Sequence, residues 1–390
     1  MTSRERVAIA LAHGTPDRTP VDFLAVPEIW RALCAHLGCG ARSLDERLFF
    51  DPSWEEVLRK LSVDCRVLSY DQFCAPPQGA LQKGGRVEWW DVQSRSTPAR
   101  MWRWKTPDGL AYDVFGRCFR TQENAAGSYE ENVPVLAAAS SVDDLRAHLW
   151  PEPDWWDWSG MAAAIRELDG GEPCNIRFRA GSIFEVAWQL RGMDTFFMDM
   201  AMQPEIPRYI MDRLTDVTCE NLRRALEAAG GRIDMVYFYD DVASTTSLLM
   251  SAEMWDELIR PYHARIIETA TKHGAEVMYH SDGALRPLIE RLIDMGVDVL
   301  NPLQPGARDM EPEGLKRDFG GRLCFHGGVD IVELLPRGTA EDVQRGTRHL
   351  MRTLGRSGGY IMASSHHIQA DTPLANVMAM YDMSLRETAL

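Results

Sequence analysis

The chain has 390 residues, 45% of them hydrophobic, enough to bury a large core in one domain with insertions or in a few smaller ones. Its 57 acidic residues outnumber 42 basic ones, and the resulting formal charge of −15 argues against non-specific attraction to nucleic acid or to anionic membrane. No apolar run approaches the roughly 20 residues of a membrane helix, and the scattered cysteines 34, 39, 65, 74, 118, 174, 219 and 324 lack a C-x-x-C pair or a preceding signal peptide, so they read as reduced thiols of a cytoplasmic protein.

The opening segment, Thr2 to Ala12, reads as an amphipathic helix capped by Thr2 or Ser3, with Val7, Ala8 and Leu11 on one face. Pro16 and Pro20 break the chain before a first candidate strand, Val21 to Leu24; a second, Cys65 to Leu68, ends in Ser69-Tyr70-Asp71. Between Val87 and Val114 alternating aromatic and polar residues, interrupted by Ser, Pro, Asp and Gly, predict an antiparallel meander inserted into the fold. The proline-broken segment Trp150 to Trp158 reads either as a loop covering a substrate or as a packed connection, since tryptophans mainly supply buried area.

From residue 174 the pattern becomes regular. Apolar runs at Ile176–Phe178, Met235–Phe238, Glu276–Tyr279, Val297–Leu300, Leu323–Phe325 and Tyr360–Ala363 alternate with helix-length amphipathic stretches such as Leu285 to Met295. Alternation of this kind implies a parallel sheet, and the two early strands bring the number to that of a closed (β/α)8 TIM barrel, with an N-terminal extension and an antiparallel β insertion. The expected organisation is a single domain over 1–390, with the Trp-rich meander and connecting segment at about 85–160.

A barrel gathers the C-terminal ends of its strands around one mouth. The residues just after the candidate strands are Asp71, Arg179, Asp240 and Asp241, His280 and Asp282, Asn301 and Gln304, His326, and His366 and His367. His280, Asp282 and His366 form a candidate three-ligand zinc site with an open fourth position; the alternative is that Asp282 orients His280 or caps a helix beginning near Ala284. Adjacent residues of an extended segment point to opposite sides, so one of Asp240 and Asp241 is expected to face the mouth. Asp71, Asp240, Asp241, Glu185 and Arg179 are candidate catalytic groups. Tyr70, Phe73, Trp188, Tyr239, Gln304, His326 and His367 are candidate substrate contacts, the aromatics among them suited to a planar ring or to core packing. The pairs Gly327-Gly328 and Gly358-Gly359 allow close approach to a phosphate or simply tight turns, and no G-x-G-x-x-G, Walker or H-E-x-x-H motif occurs.

The start Thr2-Ser3-Arg4-Glu5-Arg6-Val7 with Pro16-Asp17-Arg18-Thr19-Pro20-Val21-Asp22, the segment Leu190-Arg191-Gly192 with Asp199-Met200, and the run Leu248 to Trp255 resemble the uroporphyrinogen decarboxylase superfamily in that order. His326-Gly327-Gly328-Val329-Asp330 and Asp371-Thr372-Pro373 to Tyr381 close the resemblance, which covers nearly the whole chain apart from the Trp-rich insertion. It implies a (β/α)8 barrel and a homodimer. True decarboxylases of that superfamily carry an Arg-rich N-terminal loop of the type M-R-Q-A-G-R, whereas Ala25 to Leu33 holds a single arginine, too few for a substrate with many carboxylates. In favour of that chemistry, Asp71 matches the pyrrole-binding aspartate and His366 the histidine before the T-P motif.

The superfamily's corrinoid-linked methyltransferases hold zinc with a His-x-Cys pair and a Cys upstream of T-P; those positions are His280-x-Asp282 and His366 in this chain. A harder first shell with less negative charge should leave the zinc more electrophilic, suited to an ether or amine methyl donor or to water at least as well as to a thiol. The resemblance therefore implies a zinc-dependent methyltransferase, like the demethylases of methoxylated aromatics, moving a methyl group between a small substrate and a separate corrinoid (cobalamin) protein, because no D-x-H-x-x-G corrinoid motif is present. The alternatives are a metal-independent decarboxylase using Asp71, His366 and Arg179, and a ligand-binding barrel that has lost its chemistry.

Overall fold

The computed structural model describes residues 1–40, 52–75, 86–92, 99–124 and 127–382. Seven parallel strands, β1 (Cys65–Ser69) and, after an insertion, β7 (Asn175–Gly181), β8 (Met235–Tyr239), β9 (Glu276–His280), β10 (Val299–Leu303), β11 (Cys324–Val329) and β12 (Tyr360–Ser364), are hydrogen-bonded in chain order. The insertion is an antiparallel sheet of β2 (Arg86–Val92), β3 (Ala99–Lys105), β4 (Leu110–Tyr112), β5 (Cys118–Asn124) and β6 (Gly127–Val133), each paired with the next. The early run at Val21 closes the barrel. The Asp22 amide donates to the Met362 carbonyl at 2.9 Å on one side, and the Asp64 amide to the Val21 carbonyl at 2.9 Å on the other. All eight predicted strand positions are therefore occupied, the first of them as bridging backbone (Val21 with Met362) rather than a full strand.

Inward-facing positions, which alternate along each strand, change character from bottom to top. Cys65, Met235, Met278, Val299, Cys324 and Ile361 form an apolar layer sealed from below by Val7 of the N-terminal helix, Ser3–Leu11. Thr2 caps that helix, as predicted, and does so in a reciprocal box with Glu5, but the buried residues are Arg6, Val7 and Ala10, while Ala8 is exposed. The face is turned because Arg6 is drawn under the barrel by Asp64, 2.7 Å away, and Asp17, 2.6 Å away. Two positions further up β9, β10 and β11 the inward residues are polar, His280, Asn301 and His326, and Arg177 of β7 joins them.

That polar layer explains where the predicted strands end early. β10 runs to Leu303 and β11 to Val329, so Asn301 and His326 lie inside strands and not in the loops that follow. A polar residue after an apolar run signals a turn on a surface strand, but within a barrel it can equally be an inward side chain. The expected helix from Leu285 to Met295 is a 3-10 turn, Arg286–Leu288, followed by Ile289–Met295, and Asp282 caps neither.

The meander extends two strands further than predicted; its expected turn between Val92 and Met101 falls within 93–98, outside the described residues. The Trp-rich segment is a packed connection. Trp156 donates through Nε1 to the Tyr70 carbonyl at 3.1 Å, the Asp157 amide to Phe73 at 2.9 Å, and Trp150, Trp156 and Trp158 are buried. Gly358-Gly359 precede β12, at the barrel end opposite the mouth, where a Cβ on Gly358 would stand 2.3 Å from the Gly14 carbonyl; they are a close backbone crossing, not a phosphate cradle. All eight cysteines are free thiols, and no helix among the described residues is long and apolar enough to cross a membrane.

Candidate active site

β9 delivers His280 at its last residue, and the turn beyond it is held by three backbone donors. The Ser281 amide donates to the Asn301 carbonyl at 3.0 Å, that of Asp282 to Asp241 Oδ1 at 2.8 Å, and that of Gly283 to Gln304 Oε1 at 2.8 Å. Gly283 has φ +93°, and a Cβ there would meet the Ser244 carbonyl oxygen at 2.4 Å, so the turn needs glycine. On the far side of the mouth β12 ends at Ser364 and carries His366 just beyond it.

One ligand atom from each of His280, Asp282 and His366 falls within 4.8 Å of the others, the group of this kind found among the described residues. His366 Nε2 lies 3.9 Å from Asp282 Oδ2. Ligand atoms about 2.0–2.2 Å from a tetrahedral zinc stand roughly 3.3 Å apart, so the cluster needs to close by on the order of half an ångström on that edge. Two imidazoles and a carboxylate are a donor set that zinc takes in catalytic sites with a fourth position open. Burial raises the Asp282 carboxyl, against the pull of the two histidines, and lowers His366. A dication opposes the first tendency and reinforces the second, since it binds the carboxylate and the neutral imidazole. The residues fit a zinc ion.

Beneath His280 a chain of buried polar groups crosses the barrel. His280 Nδ1 contacts Asn301 Oδ1 at 2.6 Å, Asn301 Nδ2 contacts His326 Nδ1 at 2.6 Å, and His326 Nε2 contacts Asp22 Oδ2 at 2.9 Å. Arg177 closes the far end, 2.6 Å from Asp22 Oδ2. Burial works against the Asp22 carboxylate, but the Arg177 guanidinium and the His326 hydrogen bond outweigh it and hold its pKa well below the ordinary range. Burial lowers His326, which is therefore neutral at neutral pH. His326, expected as a substrate contact at the mouth, is 2% exposed and committed to this chain.

Arg179 donates to Asp71 Oδ2 at 2.7 Å, to Ser69 Oγ at 3.2 Å and to the Tyr239 hydroxyl at 2.5 Å, and its guanidinium lies over the Tyr239 ring, 4.8 Å from the centroid. Tyr237 stacks beside Tyr239 and meets His280 edge-on at 5.9 Å between centroids. Arg117, from the inserted sheet, reaches the same region: it donates to Gln189 Oε1 at 2.6 Å while held by Asp113. Phe115 on that loop packs edge-on against Tyr70.

The two adjacent aspartates separate. Asp240 is fully buried and accepts from Ser182, from the amides of Ile183 and Glu185, and pairs with His263 Nε2 at 2.7 Å. Its carboxylate thus ties the start of helix Phe184–Arg191 to the barrel and is not presented to the mouth. Asp241 lies at the mouth, 3.8 Å from His280 Nε2. Its amide donates to Glu185 Oε1 at 2.9 Å, and burial together with the Asp240 and Asp241 carboxylates pushes the Glu185 carboxyl up to about 8. Phe73, expected at the substrate, is buried against Trp158; Trp188 packs partly against the core; His367 sits with Nδ1 3.2 Å from His366 Nδ1.

Three residues of the site, Asp22, Arg177 and Arg117, are not among those expected from the sequence. Inward alternation could have flagged Arg177, two positions before Arg179 on one strand. Asp22 and Arg117 meet the site only through tertiary contact.

The sequence profile described as "Uroporphyrinogen decarboxylase (URO-D)" matches residues 161–386, more than half of the chain. The chain belongs to the URO-D family. The match takes in β7 to β12 and with them His280, Asp282 and His366, while Asp22 and the Arg117 insertion lie outside it. A methylated-thiol–coenzyme M methyltransferase of Methanosarcina mazei is 26% identical over 208 residues, covering 53% of this chain and 52% of the relative, so the chain spans about half the length of that protein. A uroporphyrinogen decarboxylase of Anaeromyxobacter dehalogenans is 32% identical over 133 residues, 34% of this chain and 36% of the relative. Among solved structures, a methyltransferase from Methanosarcina mazei superposes with a TM-score of 0.59 at 15% identity over 97% of both chains, a likeness of fold. The curled parallel sheet with its surrounding helices is thus the URO-D family's barrel.

Proposed function

We propose that this URO-D family protein is a zinc-dependent methyltransferase in which His280, Asp282 and His366 hold the metal. The observation that carries the reading is the convergence of those three side chains, from the ends of β9 and β12, far apart in sequence, within 4.8 Å at the barrel mouth. Its likeness to the Methanosarcina mazei methyltransferase supports methyl transfer as the class of reaction. When bound, zinc supplies a Lewis acid beside the mouth.

The chain's own groups suit a small, planar, methoxylated aromatic substrate. Tyr237 and Tyr239, half-buried and set edge-on to His280, supply aromatic surface beside it, and the Arg179 guanidinium, itself bound to Asp71, Ser69 and Tyr239, places positive charge close by. Glu185, raised to about 8, holds a proton at neutral pH next to Asp241 and can release it to a leaving oxygen. The methyl acceptor proposed is a corrinoid carried by a separate protein.

The competing reading is a metal-independent decarboxylase, favoured by the 32% identity to the Anaeromyxobacter enzyme over a third of the chain. Against it, Asp71 is engaged by Arg179 and Ser69 and so is poorly placed to receive pyrrole N–H groups. Metal analysis of protein purified without metal and then supplied with zinc separates the two. One zinc per chain, lost in His280→Ala together with methyl transfer from a methoxybenzoate to a corrinoid acceptor, supports the first; turnover unchanged in strong chelator sinks it.

A further inference from the structure

We propose that Asp22, His326 and Asn301 are positioning residues that fix the tautomer of His280, placing its proton on Nδ1 and leaving the Nε2 lone pair directed to the mouth. The role ascribed to that lone pair, metal ligation, rests on the function proposed above; the tautomer itself does not.

The order of donors follows from one end of the chain of contacts. A carboxylate only accepts, and Asp22 is kept ionised by Arg177 at 2.6 Å. At 2.9 Å from Asp22 Oδ2, His326 Nε2 must carry the proton, because a lone pair facing an anionic oxygen at that distance is repulsive. A neutral imidazole has one N–H, so His326 Nδ1 is an acceptor. The group 2.6 Å from it is then the Asn301 amide nitrogen, which orients the amide. The Asn301 carbonyl oxygen consequently faces His280 Nδ1 at 2.6 Å and can only receive its N–H. The contact of Arg177 Nη1 with His326 Nε2, at 3.4 Å, is too long to impose the opposite order.

Each member is buried: Asp22 and His326 are 2% exposed, Asn301 6% and His280 9%. Water cannot substitute for a missing link, and reversing any amide or ring leaves two donors or two acceptors face to face in a low-dielectric interior. Buried ion pairs such as Arg177–Asp22 add little net stability. This one instead sets the direction of hydrogen bonding for a histidine on the other side of the barrel. A ring whose N–H is held by a fixed acceptor is the arrangement that orients metal-binding histidines.

The test is nitrogen-detected NMR of metal-free protein labelled on histidine, at mildly alkaline pH where imidazoles are neutral, with His280 assigned by its loss in His280→Ala. His280 in the wild type should show protonated Nδ1 and unprotonated Nε2. Asn301→Leu removes the acceptor and should return His280 to the Nε2–H form that free imidazoles favour. His326→Leu, which leaves every atom touching His280 in place, should yield a mixture by freeing the Asn301 amide to turn. Zinc affinity, read by competition with a chromophoric chelator, should fall about 10- to 100-fold in both variants. An Nε2–H tautomer in the metal-free wild type overturns the proposal without any variant having to fold, as does a His326→Leu protein with lowered stability but unchanged tautomer and zinc affinity. Failure of the wild type to bind zinc would count against the metal site alone, because the tautomer is read without metal.

Discussion

Asp240 and Asp241 are neighbours in sequence, yet one carboxylate stands 2.7 Å from His263 inside the barrel wall and the other 3.8 Å from His280 at the mouth. An extended backbone turns successive side chains to opposite faces, so a single step along the chain exchanges a structural role for a place beside the proposed metal. The pair invites a crossed test. Asp240→Asn puts an amide NH2 in place of one oxygen, against the two groups that oxygen pairs with, and should lower unfolding free energy by about 3–5 kcal/mol, with zinc affinity little changed in the protein that folds. Asp241→Asn can still accept from the Asp282 amide and should change stability by less than about 1 kcal/mol, while weakening zinc several-fold through loss of a nearby negative charge. Urea titrations and chelator competition on both variants read the two effects separately.

Gly283 offers a backbone test of the same site. Alanine there would have to hold φ near +93° and would drive its Cβ to 2.4 Å from the Ser244 carbonyl oxygen. Strain of this kind costs on the order of 1–3 kcal/mol for the dihedral alone, and relief by movement of the turn would carry Asp282 away from His366. Gly283→Ala is therefore expected to lose both melting temperature and zinc affinity, whereas an alanine at Gly40, whose Cβ meets nothing within 4 Å, should alter neither.

Much of this arrangement is legible in the residues alone, and the parts that are not share a physical cause. The eight barrel positions show because apolar runs of strand length recur between amphipathic helices, and His280, Asp282 and His366 because they follow such runs. Asn301 and His326 lie in strands rather than in the expected loops because an inward-facing polar side chain and a turn residue give the same local pattern. Asp22 pairs with His326 across 304 residues, and Arg117 arrives from an inserted sheet; neither partnership leaves any periodicity in the sequence. Asp240 and Phe73 turn away from the mouth although both follow strands, because position at a strand end does not reveal which way a side chain points.

The donor set makes its own prediction about the metal. Asp282 is the hard member of the proposed site, and its carboxylate lies 3.9 Å from His366 Nε2. Asp282→Cys exchanges that oxygen for a thiolate, which favours softer ions. Cobalt added to the wild type should give only ligand-field bands, and added to the variant an additional thiolate charge-transfer band. The ratio of cadmium to zinc affinity should rise by at least about tenfold. A variant that binds cobalt without the new band would remove Asp282 from the ligand set.

Glu185 predicts a pH dependence of stability with a definite sign. Its carboxyl is pushed up to about 8 in the folded protein by burial and by the Asp240 and Asp241 carboxylates, against an ordinary value of 4.5. Between those values the folded chain keeps a proton that the unfolded chain has released, so stability attributable to this group is complete below about 4.5 and falls steadily until about pH 8. Each pH unit across that window removes about 1.4 kcal/mol, so the whole fall is on the order of 5 kcal/mol as an upper bound. Glu185→Gln imitates the protonated form at every pH and should abolish that fall. In metal-free protein the variant and the wild type should then be close in stability at pH 5 and diverge in favour of the variant by about pH 8.5, as measured by urea unfolding at both. Equal pH slopes for the two proteins would show that Glu185 is ionised in the folded state at neutral pH, and it could not then supply a proton at the mouth.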